Sequence, residues 1–221
     1  MKKGLGLVII FIALLSLSNF VIAKGTRSFS GEVGLASNGA AALNMLALDV
    51  PTGMIDINVV DGEVVRYQVD VEDKSNNWFL FATDLESLVL TEQIIDQVLY
   101  LNIDEKGVTQ KWTLEVPRDL ALQLNIGVGS IDLDSFSQSL SADIGVGSAW
   151  VGIASADYHH VRAAVGVGEI QAQGFEQGSL QQERVIVSDQ LTYNGTGTHN
   201  IDIKIGVGDV NLSQDLINKR G

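Results

Sequence analysis

Cysteine is absent from the 221 residues, and that one absence removes several chemistries together. No disulfide, thiolate zinc site, iron–sulfur cluster or cysteine nucleophile is available. Histidine is scarce too: adjacent His159 and His160 and a distant His199 are the whole supply. Proline occurs twice, and 14 basic residues stand against 27 acidic ones, a net charge of −13. So negative a field argues against general binding to nucleic acid or anionic lipid. Charged residues make up only 19% of the chain and hydrophobic ones 46%, so it is not a disordered acidic tail. Its length suffices for one or two domains with a sizeable core.

The first residues read as an export signal. Met1-Lys2-Lys3 is a short basic start, and an apolar run from Leu5 to Leu17 follows. That run is short of the ~20 residues a membrane-spanning helix needs. It leads to Val21-Ile22-Ala23, a loose version of the small-residue cleavage pattern. Cleavage is expected after Ala23, and an uncleaved anchor is the alternative. With no cysteine at the cleavage point, a lipoprotein is excluded. Removing Lys2 and Lys3 with the leader leaves 12 basic and 27 acidic residues, a charge of −15.

An internal repeat organises the rest. Gly-Val-Gly occurs at 127–129, 145–147, 166–168 and 206–208, at spacings of 18, 21 and 40. Apolar residues alternate before each copy, as in Leu122, Leu124 and Ile126, and again after it, as in Ile131 and Leu133. The phase slips across the motif: in the first copy the apolar positions are even through Val128 and odd from Ile131. In a straight strand such a slip would turn the apolar face to water, so the chain must bend at Gly129-Ser130. Glycine suits that corner because it reaches backbone angles closed to other residues. Strand, glycine corner, strand is the unit of a β-solenoid, whose turns would stack ~4.8 Å apart. A sandwich or barrel explains the alternation equally well, but not a corner that returns at a constant interval.

A fainter copy lies upstream, where Leu46, Leu48 and Val50 lead through Pro51-Thr52-Gly53 into Ile55, Ile57 and Val59. Further strands are expected near Val64–Val71, Leu88–Gln93, Val98–Asp104 and Lys111–Val116. Asn77–Glu86 reads as a short helix or an apolar loop over a solenoid end. The 40-residue gap suggests a hidden unit in Gly178–Ser188, where Val185 and Val187 alternate, with a turn at Asn194–Thr198.

Trp112-Thr113-Leu114-Glu115-Val116-Pro117-Arg118-Asp119-Leu120, followed by Ile126-Gly127-Val128-Gly129-Ser130-Ile131-Asp132-Leu133, resembles the bacterial putative-adhesin domain of unknown function. That family overlaps the auto-transporter adhesin head (GIN) group. The resemblance runs from about Leu46 to Leu212. Gly-Ser-Ile-Asp-Leu, Gly-Glu-Ile-Gln-Ala and Gly-Asp-Val-Asn-Leu match well, and Gly147-Ser148-Ala149-Trp150-Val151 is a poorer copy. The resemblance implies a β-helical envelope or surface protein and brings no catalytic residues with it.

Several residues are candidates for chemistry, and each also has a plain structural role open to it. Asp132, Asp134, Asp143, Glu169, Asp202 and Asp209 lie at repeat corners or outward positions, where a carboxylate ladder would suit Ca²⁺. However, the place of Asp132 becomes Trp150, Gln171 and Asn211 in the other copies, which breaks the ligand set. A solvated face that discourages edge pairing accounts for these residues. Gly-Val-Gly is no phosphate loop, because strand rather than helix follows it. His159 and His160 point to opposite faces of a strand. Trp112 and Trp150 would bind sugar rings if exposed, but repeat-strand aromatics more often pack in the core or rim.

The expectation is an all-β protein built as a single β-solenoid (β-helix), with coils of about 18–21 residues and Gly-Val-Gly corners. Residues 1–23 form the signal peptide, 24–45 a lead-in segment, 46–212 the solenoid and 213–221 a polar tail. Function is read as an exported, non-enzymatic adhesin or structural and interaction module of the cell envelope, periplasmic or extracellular. The partner is an unidentified protein or glycan, with no nucleic acid and no membrane span after signal cleavage. No catalytic, cofactor-binding or metal-binding residue is assigned, and no cofactor is expected. The alternatives are a polysaccharide-active enzyme on a β-helix scaffold and a calcium-stabilised surface module.

Overall fold

The computed structural model describes residues 25–36, 42–74, 83–154, 157–175 and 180–214. The leader 1–23, the apolar stretch at 77–82 and the tail from 215 onward lie outside the described residues. Twelve strands form one mixed sheet that does not close, and the described residues contain no α-helix. They are β1 Thr26–Gly34, β2 Met45–Val60, β3 Val64–Asp73, β4 Thr91–Ile95, β5 Val98–Asn102 and β6 Val108–Pro117. Then come β7 Ala121–Phe136, β8 Leu140–Ile153, β9 Tyr158–Gln173, β10 Leu180–Val185, β11 Ser188–Asn194 and β12 His199–Gln214. A single 3-10 turn covers Leu85–Ser87.

The four longest strands after β6 each carry one Gly-Val-Gly. β2, β7, β8, β12 and β9 run parallel and in register, so Gly53, Gly129, Gly147, Gly208 and Gly168 form one row. The upstream copy is therefore a true member of the repeat. Apolar rows run on either side of this corner. Val50, Ile126, Ile144, Ile205 and Val165 precede it, Ile55, Ile131, Ala149, Val210 and Ile170 follow it, and all are buried.

Straight, the 16 residues of β7 would extend about 53 Å. Yet only residues 137–139 separate Phe136 from Leu140, which pairs with Leu122 near the start of β7. Three residues reach about 14 Å at most, counting both end links. The strand must double back at its corner, bringing its two halves to face one core.

The spatial order departs from the order in sequence. Along the sheet it runs β7, β8, β12, β9, β11, β10, so the fourth Gly-Val-Gly strand sits between the second and third. The physical cause is the segment read above as a hidden repeat unit. Its described residues, 180–188, form β10 and the tip of a β10–β11 hairpin, and β11 runs antiparallel to the first half of β9, from Asp189↔Val165 to Asn194↔His160. With that edge occupied, β12 enters on the other side of β9. Val185, Ile186 and Val187 form the hairpin's exposed tip, with Ile186 at φ 52°. The turn expected at Asn194–Thr198 links β11 to β12, held by bonds from Gly195 N–H and Gly197 N–H to the carbonyls of His159 and Tyr158.

At the far end, β1 lies within the lead-in segment 24–45 and is the edge strand, antiparallel to β3. β6 pairs with the second half of β2 and carries β3 on its other side, while β5, itself flanked by β4, pairs with the first half of β2. Trp112 fills this end of the core at 0% exposure. Its Nε1 donates to Gln110 Oε1 at 2.9 Å, and Gln110 Nε2 donates to the Ile103 carbonyl at 2.9 Å. The indole is thus a fully satisfied core residue, not a sugar platform.

Candidate functional site

The corner decides which side chains can face outward. Gly129 has φ 152°, and a Cβ there would overlap the carbonyl oxygen of Gly53 in the next strand. Gly127 is confined in the same way by the Pro51 carbonyl. Between two such glycines the valine has nowhere to go but out. Val128, Val146, Val207 and Val167 are between 46% and 49% exposed. The expected inward phase therefore ends at Ile126, not at Val128: the bend takes up all of Gly127–Ser130.

Two depressions among the described residues lie on the strand faces. The larger, about 760 Å³, lies over Gly127, Gly145, Gly206 and Gly166, with Asp49, Asn125, Asp143 and Lys204 beside them and Ser188–Gln190 at the β11 end. Its floor is glycine because neighbouring backbones approach closely, so its shape follows from the corner. It is wide and open.

The smaller, about 280 Å³, lies on the second strand halves. There the outward row reads Asp132 on β7, Trp150 on β8, Asn211 on β12 and Gln171 on β9. Two residues further along, Gly152, Ser213 and Gln173 continue it, and Asp134 joins them. Trp150 is 46% exposed, an aromatic placed where the repeat otherwise carries polar residues. Gly152 beside it is buried, its outer side covered by the Asp134 carboxylate. Asp134 Oδ1 also accepts from Ser135 N–H at 2.8 Å, where Ser135 takes φ 55°. The result is a shallow bowl with one aromatic wall and a rim of carboxylates, amides and a hydroxyl. Such a mixture suits a ligand with apolar C–H faces and many hydroxyl groups.

The remaining candidates are dispersed. Asp143 lines the glycine groove, and Asp202 lies 3.4 Å from the Lys204 ammonium. Glu169 meets Arg184 at 3.4 Å and accepts from Gln171 Nε2 at 3.0 Å, while Asp209 accepts from the Glu169 N–H at 3.1 Å. Of the six acidic residues proposed for calcium, only Asp132 and Asp134 share a cavity. Among the described residues no three His, Asp or Glu side chains are grouped to hold a metal ion. His160 Nδ1 pairs with Asn194 Oδ1 at 2.9 Å, His199 lies against the Tyr158 ring, and His159 is exposed.

Sequence reasoning passed over Asp189. It is 2% exposed, and its Oδ2 accepts from Ile170 N–H at 3.0 Å and from Gln182 Nε2 at 2.9 Å. Gln182 Nε2 also donates to the Ile170 carbonyl at 2.9 Å, and Gly168 N–H bonds the Val187 carbonyl at 2.9 Å. These groups stand in for a neighbouring strand along the second half of β9. No residue pattern signals such a cap. Gly152, Gln173 and Ser213 were also overlooked, although the alternation carried two residues further places them outward.

No family model matches the chain, and no curated protein matches it significantly. Solved structures do align. A putative cell adhesion protein from Clostridium sporogenes is 16% identical, with 86% of this chain and 100% of that one covered and a TM-score of 0.45. A putative adhesin from Bacteroides fragilis is 12% identical, covering 84% of this chain and 97% of its own, with a TM-score of 0.24. Another, from Parabacteroides merdae, is 7% identical over 85% of this chain and 96% of its own, at a TM-score of 0.23. What the bowl can hold follows from its own side chains. No helix among the described residues is long and apolar enough to cross a membrane.

Proposed function

We propose that this chain is an exported, non-enzymatic β-solenoid of the bacterial envelope, an adhesin-type module holding a protein or glycan on its outer face. The observation that carries the reading is Trp150, half-exposed in a polar row across four parallel strands. A rigid ladder displaying one aromatic among amides and carboxylates is built for contact. The solenoid form is supported by the three-residue return from Phe136 to Leu140 and by the stacked glycine corners. Export is supported by the leader ending at Ala23, and the GIN-type affiliation by the Gly-Ser-Ile-Asp-Leu repeats.

Asp132 and Asp134 are the nearest thing to a catalytic pair. They stand side by side on one strand, and Asp134 is engaged by its own backbone turn. Glycoside hydrolysis needs carboxyls that flank the scissile bond. Retention of the full chain on insoluble envelope polysaccharide or on an envelope protein fraction, with no release of reducing ends, is the expected result. Failure to bind either material, or the appearance of reducing ends, overturns the reading. Material recovered from outside the cytoplasm should begin at Lys24.

A further inference from the structure

We propose that the Trp150 bowl binds a neutral, equatorially linked glycan, with one pyranose ring lying flat on the indole and the chain crossing the strands. This inference rests on the reading above and names the ligand class of that site. Three features point to it. A pyranose with equatorial hydroxyls offers an apolar C–H face, and an exposed indole is the surface that such a face covers best. Around the indole, Asp132, Asn211 and Gln171 offer acceptors and donors to the hydroxyls at the ring's edge. The depression is shallow, about 280 Å³, and is lined by these polar groups with the indole at one side.

The second feature is spacing. Asp132, Trp150, Asn211 and Gln171 stand on successive strands, about 4.8 Å apart. An extended, equatorially linked glycan advances by nearly that distance per sugar, so successive rings meet successive rungs. The third is charge. No lysine or arginine lines the bowl, and two carboxylates do, so uronates and sulfated sugars are repelled. Amides and carboxylates without cations select neutral hydroxyl-rich ligands.

The test uses the full chain with cellotetraose in calorimetry and hydroxyethylcellulose in affinity electrophoresis, with carboxymethylcellulose, the same backbone bearing carboxylates, as the anionic comparison. Saturable binding of the neutral glycans, and much weaker binding of carboxymethylcellulose, is expected. Trp150→Ala should weaken binding at least tenfold and Asn211→Ala several-fold, with unfolding midpoints unchanged. Tyr100→Ala, at an exposed aromatic on the other strand halves, should leave binding intact. Trp150→Tyr, keeping a flat ring, should retain most of the affinity and serves if the alanine variant folds poorly. The proposal is overturned if no neutral glycan binds, if carboxymethylcellulose binds as well as hydroxyethylcellulose, or if Trp150→Ala binds like the parent. The broader reading fails separately: it falls only if the chain retains neither envelope protein nor envelope polysaccharide, or if it releases reducing ends.

Discussion

Gly129 carries two constraints at once, a backbone angle that other residues reach only under strain and a neighbour's carbonyl where a side chain would stand. The angle alone is worth about 1–3 kcal/mol, so Gly129→Val should lower unfolding free energy by at least that much. Urea titration at unchanged m-value is the measurement, and a change within a few tenths of a kcal/mol would refute the corner. Val128→Thr, one residue away, should change stability by less than ~0.5 kcal/mol, because that side chain faces water. The contrast shows what was legible. Glycine's role could be read from its recurrence at the phase slip, whereas the direction of Val128 depends on how many residues the bend consumes. Trp112 and Trp150 were equally open in the sequence; the first is tied into a buried amide network and the second is not. Gln110→Leu leaves the Trp112 N–H buried without its acceptor, and a loss of about 1–3 kcal/mol is expected in the same titration.

Among the elements, the order β8, β12, β9 is what assembles the bowl, since it places Asn211 between Trp150 and Gln171. Repeat spacing alone could not reveal it. Parallel strands with the same motif are interchangeable in register, and the choice was made by the β10–β11 hairpin occupying one side of β9. The hairpin in turn is fastened by Asp189, whose carboxylate satisfies an amide that a further strand would otherwise bond. Asp189→Ala should weaken that end locally, so amide exchange at Ile170 should quicken by about tenfold or more, equivalent to 1–3 kcal/mol. Exchange at Ile131, buried between β2 and β8, should hardly change. Equal acceleration at both amides would mean the cap acts on global stability instead.

For the molecule as a whole, two buried tyrosines link stability to alkaline pH. Burial raises the Tyr158 phenol above its usual value of 10.0, with Asp157 adding to the effect, and burial with the Glu92 hydrogen bond does the same for Tyr67. The folded state therefore holds these protons more tightly than the unfolded one. Their contribution is fully present below about pH 10 and is lost as pH rises through the raised folded values. Melting temperature should thus fall steeply above pH 10, and Tyr67→Phe should flatten that fall. The all-β class, the glycine corner and most strands were legible because alternation and recurrence are local properties. The insertion of β12 was not, because it is settled by a hairpin with no repeat of its own. That insertion sets which residues stand beside one another on the outer face, and the absence of cysteine makes it directly testable. In the pair Asp143→Cys and Lys204→Cys, the two sites face each other on adjacent strands, about 4.8 Å apart. In the pair Asp143→Cys and Ala164→Cys they flank Lys204, about twice that distance and beyond disulfide reach. Mild oxidation should close the first bridge and leave the second open; a bridge from 143 to 164, with none from 143 to 204, would contradict the account.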